Sequence, residues 1–286
     1  MARFLFGEMI PFRREARWNR CRQKAMEDVT ELPRLQFRAW GRRVWRGLID
    51  FLVPPKCLVC REAVLEPASL CVSCWSKLKH IDAPYCNVMG TPFAYDQGEG
   101  AVSAAALVEP PNWNRARAAV AYDEASRGIV QALKYRDTME AGLLMARLMA
   151  RAGRQVIQEA DIIIPVPLHR FRLWSRRFNQ AAFLSQQLSW QFAKPYLTDV
   201  LLRTKTSRSQ VGLSFDERLK NVAKVFHATP KGASRLAGRR ILLVDDVLTT
   251  GATAGSCVAV LKRAGAANVD VLTFALVLDP KRPHIG

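Results

Sequence analysis

Two groups of residues in this chain of 286 have the types and spacing to do chemistry. The first is the run from Ile241 to Thr253, Ile-Leu-Leu-Val-Asp-Asp-Val-Leu-Thr-Thr-Gly-Ala-Thr. Four apolar residues read as a buried strand ending at Asp245 and Asp246. Adjacent carboxylates are costly there unless they have partners. Each offers two acceptor oxygens, so the pair suits vicinal ribose hydroxyls, directly or through a metal-bound water. The pair also suits Mg2+, which prefers oxygen ligands. Thr249, Thr250, Gly251, Ala252 and Thr253 then run into a helix, where N–H groups and hydroxyls can surround a phosphate. Gly251 removes the side chain that would block close approach. Ordinary capping of the helix by Thr249 or Thr253 is the alternative. Strand, acidic pair and loop together predict one site for a sugar hydroxyl pair and a phosphate.

The second group is Cys57-x2-Cys60, followed after ten residues by Cys71-x2-Cys74. Two such pairs match a closed, tetrahedral, structural Zn2+ site. The metal supplies the core that some forty residues cannot build alone. Cys86 reads as a free thiol, with replacement of one of the four ligands as the alternative. Met89 stands where a cysteine would complete a third pair. Cys257, inside a helical pattern, reads as a small buried residue.

These residues must be positioned by the elements around them. Residues 1–53 form a basic extension with Arg13, Arg14, Arg17, Arg20 and Arg22 and with Trp18, Trp40 and Trp45. It reads as a basic arm for nucleic acid or a membrane surface, or as a solvated tail. Residues 54–93 read as the zinc-ribbon module, and a linker follows from about Ala94 to Trp113, broken by glycines and prolines. Residues 112–280 alternate strands and helices. Strands are expected at Ala118–Tyr122, Asp161–Val166, Arg239–Val244 and Val269–Val277. Helices are expected at Glu124–Lys134, Ala141–Ile157, Asn179–Phe192 and Ala254–Ala264. The alternation predicts an α/β domain with a parallel sheet covered on both faces. No internal repeat is apparent.

Composition sets the outer bounds. The net charge is +18 and the isoelectric point about 10.2. That favours polyanionic partners: nucleic acid, an anionic membrane or phosphorylated substrates. The opening residues lack a secretory signal, and no apolar run is long enough for a membrane helix. A cytoplasmic location is therefore expected, where clustered cysteines hold metal rather than disulfides.

Ile241–Thr253 resembles the phosphoribosyl-diphosphate (PRPP) binding motif of type I phosphoribosyltransferases. The wider pattern resembles the ComF family of competence-associated, phosphoribosyltransferase-like proteins. It is carried by Ala132-Leu133-Lys134-Tyr135, by Ile164 to Arg170 and by Arg176 to Ala181. Arg203 to Thr206, Gln210, Leu213, Arg218, Asn221 and Phe226 add to it, as does the four-cysteine module ahead of the domain. The resemblance covers about Pro55 to Leu278. Two departures stand out: Arg177 where that family usually has glycine, and Met89 where it often has cysteine.

The resemblance implies a type I phosphoribosyltransferase fold, PRPP or a related ribose phosphate as ligand, and Mg2+. It implies that Asp245 and Asp246 contact the ribose and that Thr249–Thr253 hold the 5′-phosphate. Pro167 and Arg170 fall in the implied diphosphate loop, where Arg172, Arg176 and Arg177 could also neutralise a leaving group. Lys134 either faces the same cleft or complements its helix C-terminus. Leu202–Phe226 is the implied hood, with Gly212 as a hinge candidate. Single-stranded DNA and competence or recombination proteins are the implied partners, and uptake or processing of incoming DNA the implied setting. A non-catalytic DNA-binding or nucleotide-sensing module and a nucleobase salvage transferase are the alternatives.

Overall fold

The computed structural model describes residues 55–135, 138–168, 179–203 and 225–278. The chain divides at Pro54 into two units, and all described residues belong to the second, Pro55–Gly286.

Four strands build the main sheet: β1 (Ala116–Ala121), β2 (Ile162–Pro165), β5 (Arg240–Leu248) and β6 (Asn268–Leu276). All neighbours are parallel, in the order β1-β6-β5-β2. Such strands are buried on both faces, so they read as near-continuous apolar runs instead of alternating ones. One face is covered by α3 (Glu124–Tyr135), α4 (Met139–Ala152), α5 (Arg154–Glu159) and α6 (Gln180–Phe192). These helices pack on Leu242, Val244, Leu272 and Phe274. The other face carries α8 (Ala252–Arg263), packed on Ile241, Leu243, Val269 and Val271. Successive side chains of a strand point to opposite faces. Asp246 thus continues the Leu242–Val244 row, and Asp245 the Ile241–Leu243 row.

Three expected elements differ in extent. The helix over 141–157 is two helices, α4 and α5, divided at Gly153. A Cβ at Gly153 would lie 2.6 Å from Leu272 Cδ1, so the chain passes too close to the sheet there for any side chain. β5 does not stop at Val244; Asp245 pairs with Thr273 and Val247 with Ala275. The nine residues of β6 supply ladder partners that carry β5 through the acidic pair. The ends of the expected hood form a two-stranded antiparallel ribbon, β3 (Leu201–Arg203) with β4 (Phe226–Ala228). A short helix, α7 (Pro230–Ala233), follows it. Residues 204–224, with Gln210, Gly212, Arg218 and Asn221, lie outside the described residues.

The backbone contains a repeat that the sequence conceals. Cys57 N–H donates to Glu62 O at 2.7 Å, Arg61 N–H donates to Cys57 O at 3.1 Å, and Lys56 bridges to Ala63. Twenty-nine positions on, by about the same path, Cys86 N–H donates to Thr91 O at 2.8 Å, Gly90 N–H donates to Cys86 O at 2.8 Å, and Tyr85 bridges to Pro92. Each knuckle ends on a left-handed residue, Arg61 at φ 68° and Gly90 at φ 70°. Each is followed by a five-residue helix: α1 (Val72–Ser76) with Cys71 as N-cap, and α2 (Ala104–Val108) with Ser103 as N-cap. The expectation of no repeat is therefore corrected, and the stretch expected as a linker holds the helix of the second half. Cys57, Cys60, Cys71 and Cys74 correspond to Cys86, Met89, Ser103 and Ala106.

The repeat docks on the edge of the sheet at β1. Ile81 N–H donates to Ala119 O at 3.1 Å and Ala121 N–H to Lys79 O at 2.8 Å. Leu58 and Leu78 join the core beneath α3 and α4. At the amino ends of the strands, Arg115 donates to both oxygens of Asp270, at 3.2 and 2.6 Å, and to Glu159 at 2.8 Å. Arg240 also reaches Glu159, at 2.6 Å. This charged cluster ties down the end of the sheet opposite the acidic pair. Among the described residues, no helix is long and apolar enough to cross a membrane.

Candidate functional site

The site grows from the carboxyl end of β5, where ligands of open parallel sheets bind. Asp246 N–H donates to Asp245 Oδ1 at 2.9 Å. Asp246 is 9% exposed, and its Oδ2 takes no hydrogen bond but faces the ammonium of Lys134 in an ion pair. Lys134 lies in the last turn of α3. Burial, then the neighbouring Asp246 carboxylate, pushes the Asp245 carboxyl well above the usual carboxylate range, with Lys134 opposing them. One proton or one cation therefore relieves this pair. The residues fit a divalent ion or a hydroxyl-bearing ligand. Cys257 of α8 is fully buried, and burial raises its thiol, as does the Asp245 charge. It is an inert packing residue.

Beyond β5, Gly251 takes φ 79° and is the N-cap of α8, with no side-chain cap bond. Thr250 Oγ1 accepts from Ala252 N–H at 3.5 Å, and Gly255 N–H donates to Gly251 O at 2.7 Å. Capping by Thr249 or Thr253 is thus not what starts this helix. Thr249, Thr250, Ala252 and Thr253 are exposed, while Gly251 is buried. Exposed hydroxyls thus stand at the N-terminus of a twelve-residue helix, the end whose dipole favours negative charge.

β2 ends beside the same strand, with Val166 N–H donating to Val244 O at 2.9 Å. Asn179 Nδ2 donates to Val166 O at 3.2 Å, which closes the neck of the 167–178 segment next to the acidic pair. Asn179 also caps α6, accepting from Ala182 N–H. Pro167 is half-buried at this neck. Arg170 lies outside the described residues, with His169, Arg172, Arg176 and Arg177. Arg203 is half-buried, its guanidinium 5.5 Å from the Phe226 ring centroid. The structure thus brings Asp245, Asp246, Lys134, Pro167 and the Thr249–Thr253 loop to one end of the sheet.

Sequence reading missed Trp113 and Asn112. Trp113 lies beneath Gly251, and Asn112 Nδ2 donates to Gly255 O at 2.7 Å. The available signal was a tryptophan in a stretch otherwise marked by prolines and glycines.

The metal centre is separate. The Sγ atoms of Cys57, Cys60, Cys71 and Cys74 all lie within 4.8 Å of one another. A tetrahedral zinc with bonds of about 2.3 Å needs its sulfurs about 3.8 Å apart, so the four thiols fit it. At Cys57 burial acts upward but is outweighed by the backbone N–H groups of Cys71, Cys60 and Val59, which bring the thiol to about 6. Burial pushes Cys74 up to about 12. The second half does not fit a metal. Of its four corresponding positions only Cys86 supplies a thiol. Its Sγ accepts from Ser103 N–H at 3.2 Å and Met89 N–H at 3.4 Å, and the Met89 side chain packs against the core.

A parallel sheet whose β5 carries the acidic pair into the Gly251 turn, behind a four-cysteine ribbon, sets the class: an α/β protein with a zinc-ribbon module. Residues 48–106 match the family model described as double zinc ribbon domain. Competence protein F of Haemophilus influenzae is 31% identical over 226 residues, 77% of this chain and 96% of that protein. DNA utilization protein YhgH of Escherichia coli (strain K12) is 30% identical over 225 residues, again 77% and 96%. The chain belongs to the ComF family. Solved structures of an orotate phosphoribosyltransferase from Aeropyrum pernix and a hypoxanthine phosphoribosyltransferase from Staphylococcus aureus are also similar. The first is 16% identical, covering 56% of this chain and 80% of that one with a TM-score of 0.29. The second is 14% identical, covering 50% and 68% with a TM-score of 0.31.

Proposed function

We propose that this protein binds PRPP or a related ribose 5-phosphate with Mg2+, and uses it in handling incoming single-stranded DNA. The observation that carries the reading is the acidic pair of β5 running straight into the Gly251-capped loop. Asp245 and Asp246 accept the two ribose hydroxyls, and Thr249 to Thr253 enclose the 5′-phosphate. Asp245 and Asp246 are the carboxylates that would hold Mg2+, which would supply charge neutralisation for the departing diphosphate. Lys134 leaves Asp246 when the hydroxyls arrive and turns its charge on the diphosphate; Arg170, three residues after Pro167 in sequence, is the second candidate cation. In the transfer reaction a nitrogen nucleophile forms the bond to ribose C1′ as the bond to diphosphate breaks. Positioning and charge stabilisation supply the catalysis. The names of the relatives, competence protein F and DNA utilization protein, support the DNA setting. A cytoplasmic location and contact with competence or recombination proteins go with it.

Calorimetry with PRPP and Mg2+ tests the binding. The wild-type chain binds, and Asp245→Asn/Asp246→Asn loses at least about tenfold in affinity. Undiminished binding by that variant sinks the assignment. Diphosphate release, measured separately with free bases and with single-stranded DNA, tells transfer from binding alone.

A further inference from the structure

We infer that the second half of the ribbon is a metal-free brace for the phosphate loop, and that Trp113 is the positioning residue connecting them. The inference deepens the ribose-phosphate reading and rests on it for the identity of the ligand.

The brace begins at the Cys86 knuckle. Its turn is closed by backbone donors to Cys86 Sγ and by Gly90, where a Cβ would lie 2.6 Å from Ala116 O. Two carbonyls of this knuckle then hold the sheet domain. Val88 O accepts from Ala116 N–H at 2.8 Å and from Trp113 Nε1–H at 3.1 Å. Asn87 O and Oδ1 accept from the buried guanidinium of Arg117, at 2.8 and 2.9 Å. That guanidinium also lies 4.5 Å from the Tyr85 ring centroid. The knuckle is thereby fixed to the first residues of β1, and its Val88 carbonyl fixes the edge of the indole.

The far edge of the indole sets the loop. Trp113 is 7% exposed, and a Cβ on Gly251 would lie 2.6 Å from its Cη2 atom. Gly251 is the left-handed residue that turns the chain into α8; as N-cap it offers no side chain, and Thr250 Oγ1 accepts from Ala252 N–H at a long 3.5 Å. The turn is held by the Cη2 edge of the indole and by the neighbouring Asn112 bond to Gly255. The direction of the N–H groups that would face a phosphate thus depends on where the indole edge is held. A rigid aromatic with two side-chain torsions suits this at low entropic cost. The zinc half has no equivalent duty: Arg61, where Gly90 stands in the other half, is exposed.

The test compares full-length wild type with Trp113→Phe, Trp113→Ala, Gly251→Ala and the double variant Trp113→Ala/Gly251→Ala. Amide hydrogen exchange over residues 249–256 is read without ligand, and PRPP with Mg2+ is titrated by calorimetry. Trp113→Ala speeds exchange in that loop by about tenfold or more and leaves the four-cysteine half and its zinc unchanged. Its PRPP affinity falls by about tenfold, and Trp113→Phe, which lacks both the Nε1–H for Val88 O and the Cη2 edge beside Gly251, falls between Trp113→Ala and wild type. Gly251→Ala harms less in the Trp113→Ala background than in wild type, because the methyl then has room. Unchanged loop exchange in Trp113→Ala, strict additivity, or a second zinc equivalent in wild type each overturns the inference. If wild type does not bind PRPP, the functional reading fails, and loop exchange across the four variants still decides this one. If Trp113→Ala does not fold, Trp113→Leu takes its place in both measurements.

Discussion

The knuckle at Cys57 and the knuckle at Cys86 follow the same backbone path, yet different forces close them. Four thiols converge in the first half and need only a zinc ion. Its outer face is exposed, and it holds Arg61 in a left-handed conformation at the surface. The second half keeps one thiol, satisfied by two backbone N–H groups. Its remaining hold comes from β1, from Arg117 and from Trp113. A metal makes a small module self-sufficient, whereas hydrogen bonds make it dependent on its neighbour. With one thiol in place of four, the second half is held as part of the domain it adjoins.

The largest effect that separates the halves is removal of the metal. Cys74→Ser, or a strong chelator, removes metal-binding free energy on the order of 10 kcal/mol. Zinc analysis then falls from about one equivalent per chain to well below one. Exchange protection disappears over residues 56–79, while β5 and β6 stay protected. Loss of protection in the whole chain would mean that the zinc half also serves the sheet domain. The reverse experiment gives the second half its missing ligands. Met89→Cys/Ser103→Cys/Ala106→Cys, together with the native Cys86, assembles four thiols on the second copy of the turn. A second zinc equivalent is expected; none would show that β1 holds the knuckle in a geometry no metal accepts.

A smaller effect probes Cys86 alone. Cys86→Ala leaves the Met89 and Ser103 N–H groups without their acceptor, which costs about 1–3 kcal/mol. Denaturant midpoints report the loss, and zinc content stays unchanged. A drop in zinc would place Cys86 among the ligands after all.

The two halves were unequally legible in the sequence for the same physical reason. A metal site is specified by residue type and spacing, so Cys57, Cys60, Cys71 and Cys74 were visible at once. A hydrogen-bonded knuckle is specified by backbone path, and Met89, Ser103 and Ala106 leave no trace of it. The sheet was legible because buried parallel strands are apolar runs, Ile162–Ile164 and Ile241–Val244 above all. The end of β5 was not, because Leu248 is set by the partner strand β6 and not by its own residues. Asp245, Asp246 and the Thr-Gly loop were visible as chemistry. Their alternation across the two sheet faces, and with it the pairing of Asp246 to Lys134, needed the register. Trp113 and Gly251 are far apart in sequence, and no local pattern announces that one rests on the other.

The smallest expected effect lies at the seam between the halves. His80 stacks on Trp75, with ring centroids 4.8 Å apart, and its backbone bridges to Val120 of β1. Its Nε2 is buried without a hydrogen-bond partner. Burial lowers this histidine below its ordinary 6.5, with Asp82 opposing and Arg151 assisting. The sign follows from which state takes up the proton first. Above pH 6.5 both folded and unfolded chains keep the ring neutral, and the contribution is fully present. As pH falls below 6.5 the unfolded chain binds the proton while the folded one resists, so stability declines until the lowered folded value is reached. His80→Phe keeps the ring stack and removes the titration. Denaturation midpoints of wild type and variant should therefore diverge as pH is lowered through this window, with the wild type losing more. Parallel curves would show that the seam is already hydrated, and that the zinc half touches β1 without being sealed to it.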